Sequence, residues 1–401
     1  MKIAMLMSDQ EFEKKYGKMF QEQLQIAEQF LSNPEKLQED ILNKRKLRKS
    51  KGLTFPEPHQ FTFRSMQYRA FVENPLRLKN YIAAENEEYS EKVLFLPYII
   101  DVEPNSVCNF RCIMCQVSDW ERGRRARDMK LEEFKDLIEK NPQLIEIKLQ
   151  GMGEPLMHKY FIDMIEYASE RNIWVRTVIN GSLLHVRNHV ERLIDSGVGE
   201  IQASVDGANK EVFEAIRRNS NFERVVDNFT SLNKYANKKN RPYTRMWVVL
   251  QQQNRHQIFD FVELAKKMEF RRLTLSVSLG DWGQDTWKER KSGMQAMSFT
   301  QEEEKELLEM AKANDIDISI WKISNKYSPE SLDSLCAWPF QRTLISSDMK
   351  VGPCCMIGNP DIATLGDGYD IAKTWNSEAY QSFRKNHIDG NIPKYCENCY
   401  K

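Results

Sequence analysis

The sequence predicts an α/β fold: a partial (β/α)6 TIM-like barrel, with a helical segment before it and a small cysteine-bearing domain after it. Three observations carry this reading. From residue 93 onward, apolar runs alternate with amphipathic stretches. The first 90 or so residues show three- and four-residue periodicity instead. The eight cysteines fall into two groups, Cys108 to Cys115 and Cys336 to Cys399.

Composition bounds the function. At 401 residues, 41% apolar and 29% charged, the chain is an ordinary soluble globular protein of two or three domains. Lys+Arg and Asp+Glu both number 58, so no basic field argues for nucleic acid. No apolar run reaches the roughly 18 residues of a membrane span. Met1 to Ser8 is too short an apolar core for a signal peptide, which implies a cytoplasmic location. In a reducing cytosol, clustered cysteines of a long chain read as metal sites rather than disulfides.

Residues 1–92 form the expected helical extension. Phe12, Tyr16, Phe20, Leu24, Ala27 and Leu31 make one apolar helix face. A second helix follows Pro34 and ends in the basic run Lys44 to Lys51. That run reads as a solvated helix end, where cations are favoured. Gly52 to Phe61, with two prolines, reads as a linker, and residues 62–90 return to helix.

Residues 93–325 form the barrel. Strands are expected near 95–103, 144–150, 173–179, 199–205, 245–251, 272–278 and 316–321. Amphipathic helices are expected near 130–140, 158–171, 183–196, 222–236, 256–268 and 300–313. Six strand–helix units are too few for a closed eight-fold barrel, so the barrel stays open. Its reactive face lies at the strand C-termini. Residues 326–401 form the small terminal domain, with a hairpin at Thr343 to Gly352.

Chemistry clusters at the predicted strand ends. Cys108, Cys112 and Cys115 stand at C-x3-C-x2-C spacing after the first strand. Three thiolates are one short of a closed zinc site and one short of ligating every iron of a 4Fe–4S cluster. One iron would stay open to another ligand. After the second strand, Gly151 and Gly153 let the backbone approach a ligand closely, and Glu154 adds a carboxylate. Asn180-Gly181, Ser204 to Gly207 and Arg217 follow the next strands, and Gln251 and Asn254 end the fifth. The loop Asp119 to Asp128 carries Trp120, Arg122, Arg124, Arg125 and Arg127, suited either to an anionic substrate or to solvent. Asp281 to Trp287 is a second candidate substrate loop. In the terminal domain, Cys336, Cys354, Cys396 and Cys399 complete a four-ligand set, for zinc or for a cluster.

The three-cysteine motif resembles that of radical S-adenosylmethionine (SAM) enzymes. The resemblance implies a 4Fe–4S cluster that passes one electron to bound SAM, yielding a 5′-deoxyadenosyl radical that abstracts hydrogen from a C–H bond. Gly151-Met152-Gly153-Glu154 resembles the family's glycine-glycine-glutamate motif, which holds the SAM amino group; here Met152 stands at the first motif glycine. The resemblance further implies that Asn180 borders the cofactor site and that Ser204 and Arg217 contact the SAM carboxylate and ribose. For Arg217 a salt bridge to Glu214 or Asp206 is the competing role. Met114 stands where the family usually has an aromatic residue.

Cys336-Ala-Trp-Pro-Phe, Gly352-Pro-Cys354-Cys355, Thr374-Trp-Asn-Ser377 and Cys396-Glu-Asn-Cys399 resemble the SPASM/twitch extension of that family. This implies one auxiliary 4Fe–4S cluster on Cys336, Cys354, Cys396 and Cys399, two clusters in all. Cys355 is then either packing, a ligand in place of Cys354, or a hydrogen-atom donor as in certain SPASM-type epimerases. The implied enzyme is a radical SAM oxidoreductase or epimerase acting on a small polar, sugar- or aminocyclitol-like substrate. It takes electrons from flavodoxin or ferredoxin. A peptide- or protein-modifying maturase is the alternative, and a non-enzymatic zinc scaffold is the rival outside the family. The absence of a strand-rich N-terminal module and the single auxiliary set favour the small molecule. No nucleic-acid or membrane partner is expected.

Overall fold

The computed structural model describes residues 6–50, 56–121, 127–277, 279–321 and 327–400, with the side chains of 45–50 left aside. Most of the basic run 44–51 and Arg122, Arg124 and Arg125 lie outside what is described.

Four helices open the chain: α1 (Asp9–Ser32), α2 (Pro34–Ser50), α3 (Gln60–Glu73) and α4 (Pro75–Asn86). Ser8 caps α1 by accepting from the Glu11 amide, and Pro75 opens α4 where no amide partner is needed. The predicted α1 face is inward: Phe12, Tyr16, Phe20 and Ala27 are buried. The helices seal the bottom of the barrel. Phe63 packs edge-on to Trp174 at 5.2 Å, and the Trp174 indole donates to Thr62.

The strands are β1 (Ile99–Val102), β2 (Arg111–Cys112), β3 (Glu146–Leu149), β4 (Trp174–Ile179), β5 (Glu200–Ser204), β6 (Arg217–Arg218), β7 (Thr244–Val249), β8 (Arg272–Ser276), β9 (Asp317–Trp321), β10 (Arg342–Ile345), β11 (Lys350–Gly352) and β12 (Gly366–Asp367). Ten form one sheet in the order β12-β11-β10-β1-β3-β4-β5-β7-β8-β9. All seven predicted barrel strands are present and pair in parallel, from β1 to β9. The sheet does not close, since β9 and β12 are its ends.

The terminal hairpin forms as expected but extends the barrel sheet. β10 pairs in parallel with β1, from Ile99↔Arg342 to Val102↔Ile345. The apolar edge of β1 would otherwise be unpaired, and a buried edge must satisfy its backbone groups. The change of chain character near residue 325 is therefore not a break in the sheet.

Outward strand residues such as Ile147, Leu149, Val175 and Ile201 are buried beneath the helices. The inward face is charged. Asp101 pairs with Arg342, Glu146 with Arg176, and Glu200 with Arg245 and Arg272. The lowest pair reaches the N-terminal segment: His59 donates its amide to Glu200, and Arg245 and Arg272 both donate to the Glu57 carbonyl. This polar lumen needs occupants or water, unlike a barrel filled by aliphatic side chains.

Candidate active site at the strand ends

The first three cysteines lie on the loop beyond β1. The Arg111 guanidinium donates to the Cys108 carbonyl at 2.8 Å, and the Cys115 amide donates to the Cys112 carbonyl at 3.1 Å. The two-residue ribbon β2–β6 pins Cys112 opposite Arg217. Arg217 is buried, bridges Asp206 at 2.7 Å, and points a second nitrogen at the Cys112 sulfur at 3.9 Å. The salt bridge to Asp206 is real, then, but it is internal and sets Arg217 beside a cysteine. Burial pushes the Cys108 and Cys115 thiols up to about 12. As free thiols they keep their protons at neutral pH, so loading a metal must displace them.

The glycine turn works differently from the sequence expectation. A Cβ on Gly151 would fall 2.1 Å from Glu103, and one on Gly153 would fall 2.5 Å from Asn105 and from the Val107 carbonyl. The close approach is to the segment leading into Cys108, not to open space. It docks Glu154 beside that loop, with its amide donating to Val107 at 2.9 Å. The buried Glu154 carboxylate accepts from the Asn180 amide at 2.8 Å and the Leu156 amide at 3.3 Å. Asn180 also donates to Asn109 within the cysteine loop at 3.0 Å, and Asn109 donates to Ser182. Gly151, Gly153, Glu154 and Asn180 thus join the cysteine loop in one network. Ser204 ends β5 half-buried, outside it. Asn254 is occupied structurally, donating to the Asp206 carbonyl and accepting from the Gln251 amide.

Burial raises the Glu154 carboxyl from 4.5 to about 7, against the pull of the Asn180 and Leu156 amides. A raised carboxyl pKa contributes stability that is present below the unfolded value and lost as pH rises through the folded one. Glu154→Gln should therefore gain on the wild type, without cofactor, between pH 5 and pH 8, by about 3 kcal/mol. Urea unfolding of both proteins at the two pH values measures this; parallel pH dependences would contradict it.

The terminal cysteines line a single cavity. Cys336, Cys354, Cys396 and Cys399 share it with Trp338, Met356, Phe383, Tyr395 and Tyr400. The Cys336 amide donates to the Tyr400 hydroxyl at 3.0 Å, and Lys394–Cys399 is a short 3-10 helix presenting the last two thiols. Among the described residues no three metal-ligating side chains converge on one point. Four thiols around a cavity suit a polyatomic cluster, which needs more room than a tetrahedral ion.

Cys354 and Cys355 part company. Cys354 lines the cavity with Cys336, Cys396 and Cys399, and Cys355 does not. Cys355 instead feels Lys148, Asp101, Arg342 and Arg176, the charged lumen. The two lie in a turn just past β11, closed by the Ile357 and Gly358 amides donating to the Cys354 carbonyl, and the turn sends Cys354 but not Cys355 to the cavity.

The two substrate-loop candidates also resolve. Arg127 donates to the Ser347 carbonyl and pairs with Glu133, so it braces the fold. The 281–287 loop clamps the two cysteine regions together. The Trp282 indole donates to the Met114 carbonyl at 3.2 Å, Gln284 donates to Gln116 at 2.9 Å, and Gly283 packs on Tyr395. Gln116 in turn donates to the Met152 sulfur and the Ile357 carbonyl. Gln116 and Lys148 escaped the sequence reading. Lys148 did leave a signal, a lone cation between two apolar residues of a strand.

No helix among the described residues is long and apolar enough to cross a membrane. Residues 102–265 match the model of the radical SAM superfamily, and residues 336–400 match the SPASM iron–sulfur cluster-binding domain. The chain is 28% identical over 184 residues to the mycofactocin maturase MftC of Mycolicibacterium smegmatis, 45% of this chain and 44% of that protein. It therefore spans less than half of that relative. It is 22% identical over 323 residues to the PqqA peptide cyclase of Bradyrhizobium diazoefficiens, 79% of this chain and 82% of that one. Streptococcus suis SuiB shares the fold, with a TM-score of 0.54 at 13% identity over 86% of this chain and 78% of SuiB. The chain joins a radical SAM domain to a C-terminal SPASM domain, and these domains imply SAM and 4Fe–4S clusters.

Proposed function

We propose that this enzyme is a maturase that modifies a side chain of a peptide or protein substrate. The supporting observation is the similarity to the PqqA peptide cyclase, which covers about four-fifths of both chains. The sequence alone favoured a sugar or aminocyclitol, for want of a strand-rich N-terminal module. That argument is weak beside a likeness to a peptide cyclase over about four-fifths of both chains.

In this reading Cys108, Cys112 and Cys115 hold the SAM-binding cluster, and Cys336, Cys354, Cys396 and Cys399 hold the auxiliary one. Bound and reduced, the first cluster with SAM supplies one-electron chemistry that removes a hydrogen atom from an unactivated carbon. The chain's own residues position and shield. Glu154, fixed by the Asn180 and Leu156 amides, offers its carboxylate to the SAM amino group. Ser204, half-buried at the end of β5, is assigned a contact to SAM by its place at a strand end. Arg217, anchored by Asp206, sets a positive charge beside Cys112. Cys355 faces the lumen, where it can give a hydrogen atom to a substrate radical. A flavodoxin or ferredoxin in the cytoplasm supplies the electron.

The test is a mass measurement. Anaerobically reduced enzyme with SAM is incubated with the short peptides encoded beside its gene, and with aminocyclitols. The reading predicts a mass change on a peptide that requires SAM. Conversion of an aminocyclitol with every peptide left unaltered would restore the small-molecule reading.

A further inference from the structure

Among the described residues, the lumen cation Lys148 makes no ion pair. Lys148 stands on β3 between Ile147 and Leu149, both fully buried on the outer face, so alternation turns it inward. Its register neighbours are Asp101 on β1 and Arg176 on β4. The titratable groups around it are Cys355, Asp101, Arg176 and Arg342, with Glu146 on its own strand. The two acids are each shared with an arginine: Asp101 accepts from Arg342 through Oδ1 at 2.9 Å, its Oδ2 having no hydrogen-bond partner, and Glu146 lies 2.8 Å from Arg176, so two carboxylates face the three cations Lys148, Arg176 and Arg342. Lys148 makes no hydrogen bond or ion pair among the described residues. A half-buried ammonium without an acid is costly, and burial lowers its pKa. A chain that needed only a filled lumen would place an apolar residue there.

A second observation points the same way. Arg245 and Trp247 lie on the lumen face of β7, where Trp247 packs edge-on to Trp321 at 5.4 Å. The same alternation carries on to Gln251, just past the strand. Gln251 is fully buried, yet neither atom of its amide has a hydrogen-bond partner. Buried amides are nearly always satisfied, so an orphaned one on a lumen wall is placed for a polar guest.

Resting on the peptide reading, we propose that Lys148 anchors a carboxylate of the substrate inside the barrel, with Gln251 offering a further polar contact to the same substrate. The carboxylate belongs either to an acidic side chain or to a peptide C-terminus. SAM is not the guest of Lys148: Glu154 and the cysteine loop lie beyond the strand ends, as Gln251 does, and Lys148 lies within β3, so a substrate that meets both residues reaches from the mouth into the barrel. The substrate acid supplies the counter-charge the protein withholds, and the surrounding arginine pairs disfavour a cationic residue.

The test uses the cluster-loaded enzyme with SAM under anaerobic conditions. Five probes are titrated by ligand-observed NMR: N-acetylglutamate α-methylamide, its neutral glutamine counterpart, N-acetylglutamine with a free α-carboxylate, and glucuronate with its methyl ester. The acidic member should bind about tenfold tighter than its neutral partner, the size of a charge-assisted bond. Preference for the first probe identifies a side-chain carboxylate, and preference for the third identifies a C-terminus. Lys148→Met should abolish the preference without changing SAM affinity or iron content, and Lys148→Arg should keep it. Absence of preference in the wild type, a preference that survives Lys148→Met, or weakened SAM binding in that variant would each overturn the proposal. If Lys148→Met fails to load iron, the wild type and Lys148→Arg still decide through the acid–amide comparison. Should only glucuronate show the Lys148-dependent preference, the subsite stands and the peptide reading falls. Should neither the first nor the third probe bind tighter than the neutral glutamine counterpart, and glucuronate no tighter than its ester, the subsite falls and the peptide reading survives.

Discussion

Cys112→Ala is expected to abolish SAM cleavage while leaving the second cysteine set loaded. Disturbing residues behind a metal ligand already costs about 10- to 100-fold, so deleting a ligand should exceed the upper figure. Cys112 is the most tightly set of its three: it is buried, held in the β2–β6 ribbon and faced by Arg217. The alanine variant should fall from about eight irons to about four, because the terminal set shares none of its ligands. Formation of 5′-deoxyadenosine is the readout. A wild-type rate in Cys112→Ala would remove the first site from the account.

The neighbours Cys354 and Cys355 should give opposite results. Cys354→Ala should lose about four irons and still cleave SAM, since the first set is intact. Cys355→Ala should keep about eight irons and still cleave SAM. With Cys355 as hydrogen donor, that variant also loses the final product. The physical basis is position: Cys354 lines the cavity with Cys336, Cys396 and Cys399, and Cys355 does not. Iron loss on replacing Cys355, with Cys354→Ala unaffected, would reverse the assignment.

Much of the frame was legible in the residues. Each barrel strand is a short apolar run between turn residues, and each helix carries a period that only a helix satisfies, so their order could be read locally. The pairing of β10 with β1 could not. It joins segments 241 positions apart at the Asp101–Arg342 bridge, and nothing local marks which strand edge accepts a distant hairpin. The site was half legible. Spacing gave both cysteine sets, but Arg217 had a competing salt bridge, and only the fold shows that the bridge to Asp206 is what carries it to Cys112. The glycines at 151 and 153 announced a close approach without saying to what. The charged lumen was hidden because its acids and bases come from different strands, and Lys148 is conspicuous only once its neighbours prove to be paired already.

The most direct test of the account is the metal and turnover analysis of the intact chain, purified without oxygen. The account predicts about eight irons with matching sulfide, no zinc, and 5′-deoxyadenosine when the reduced protein meets SAM. A colourless protein carrying zinc at the terminal cysteines and leaving SAM uncleaved would contradict it.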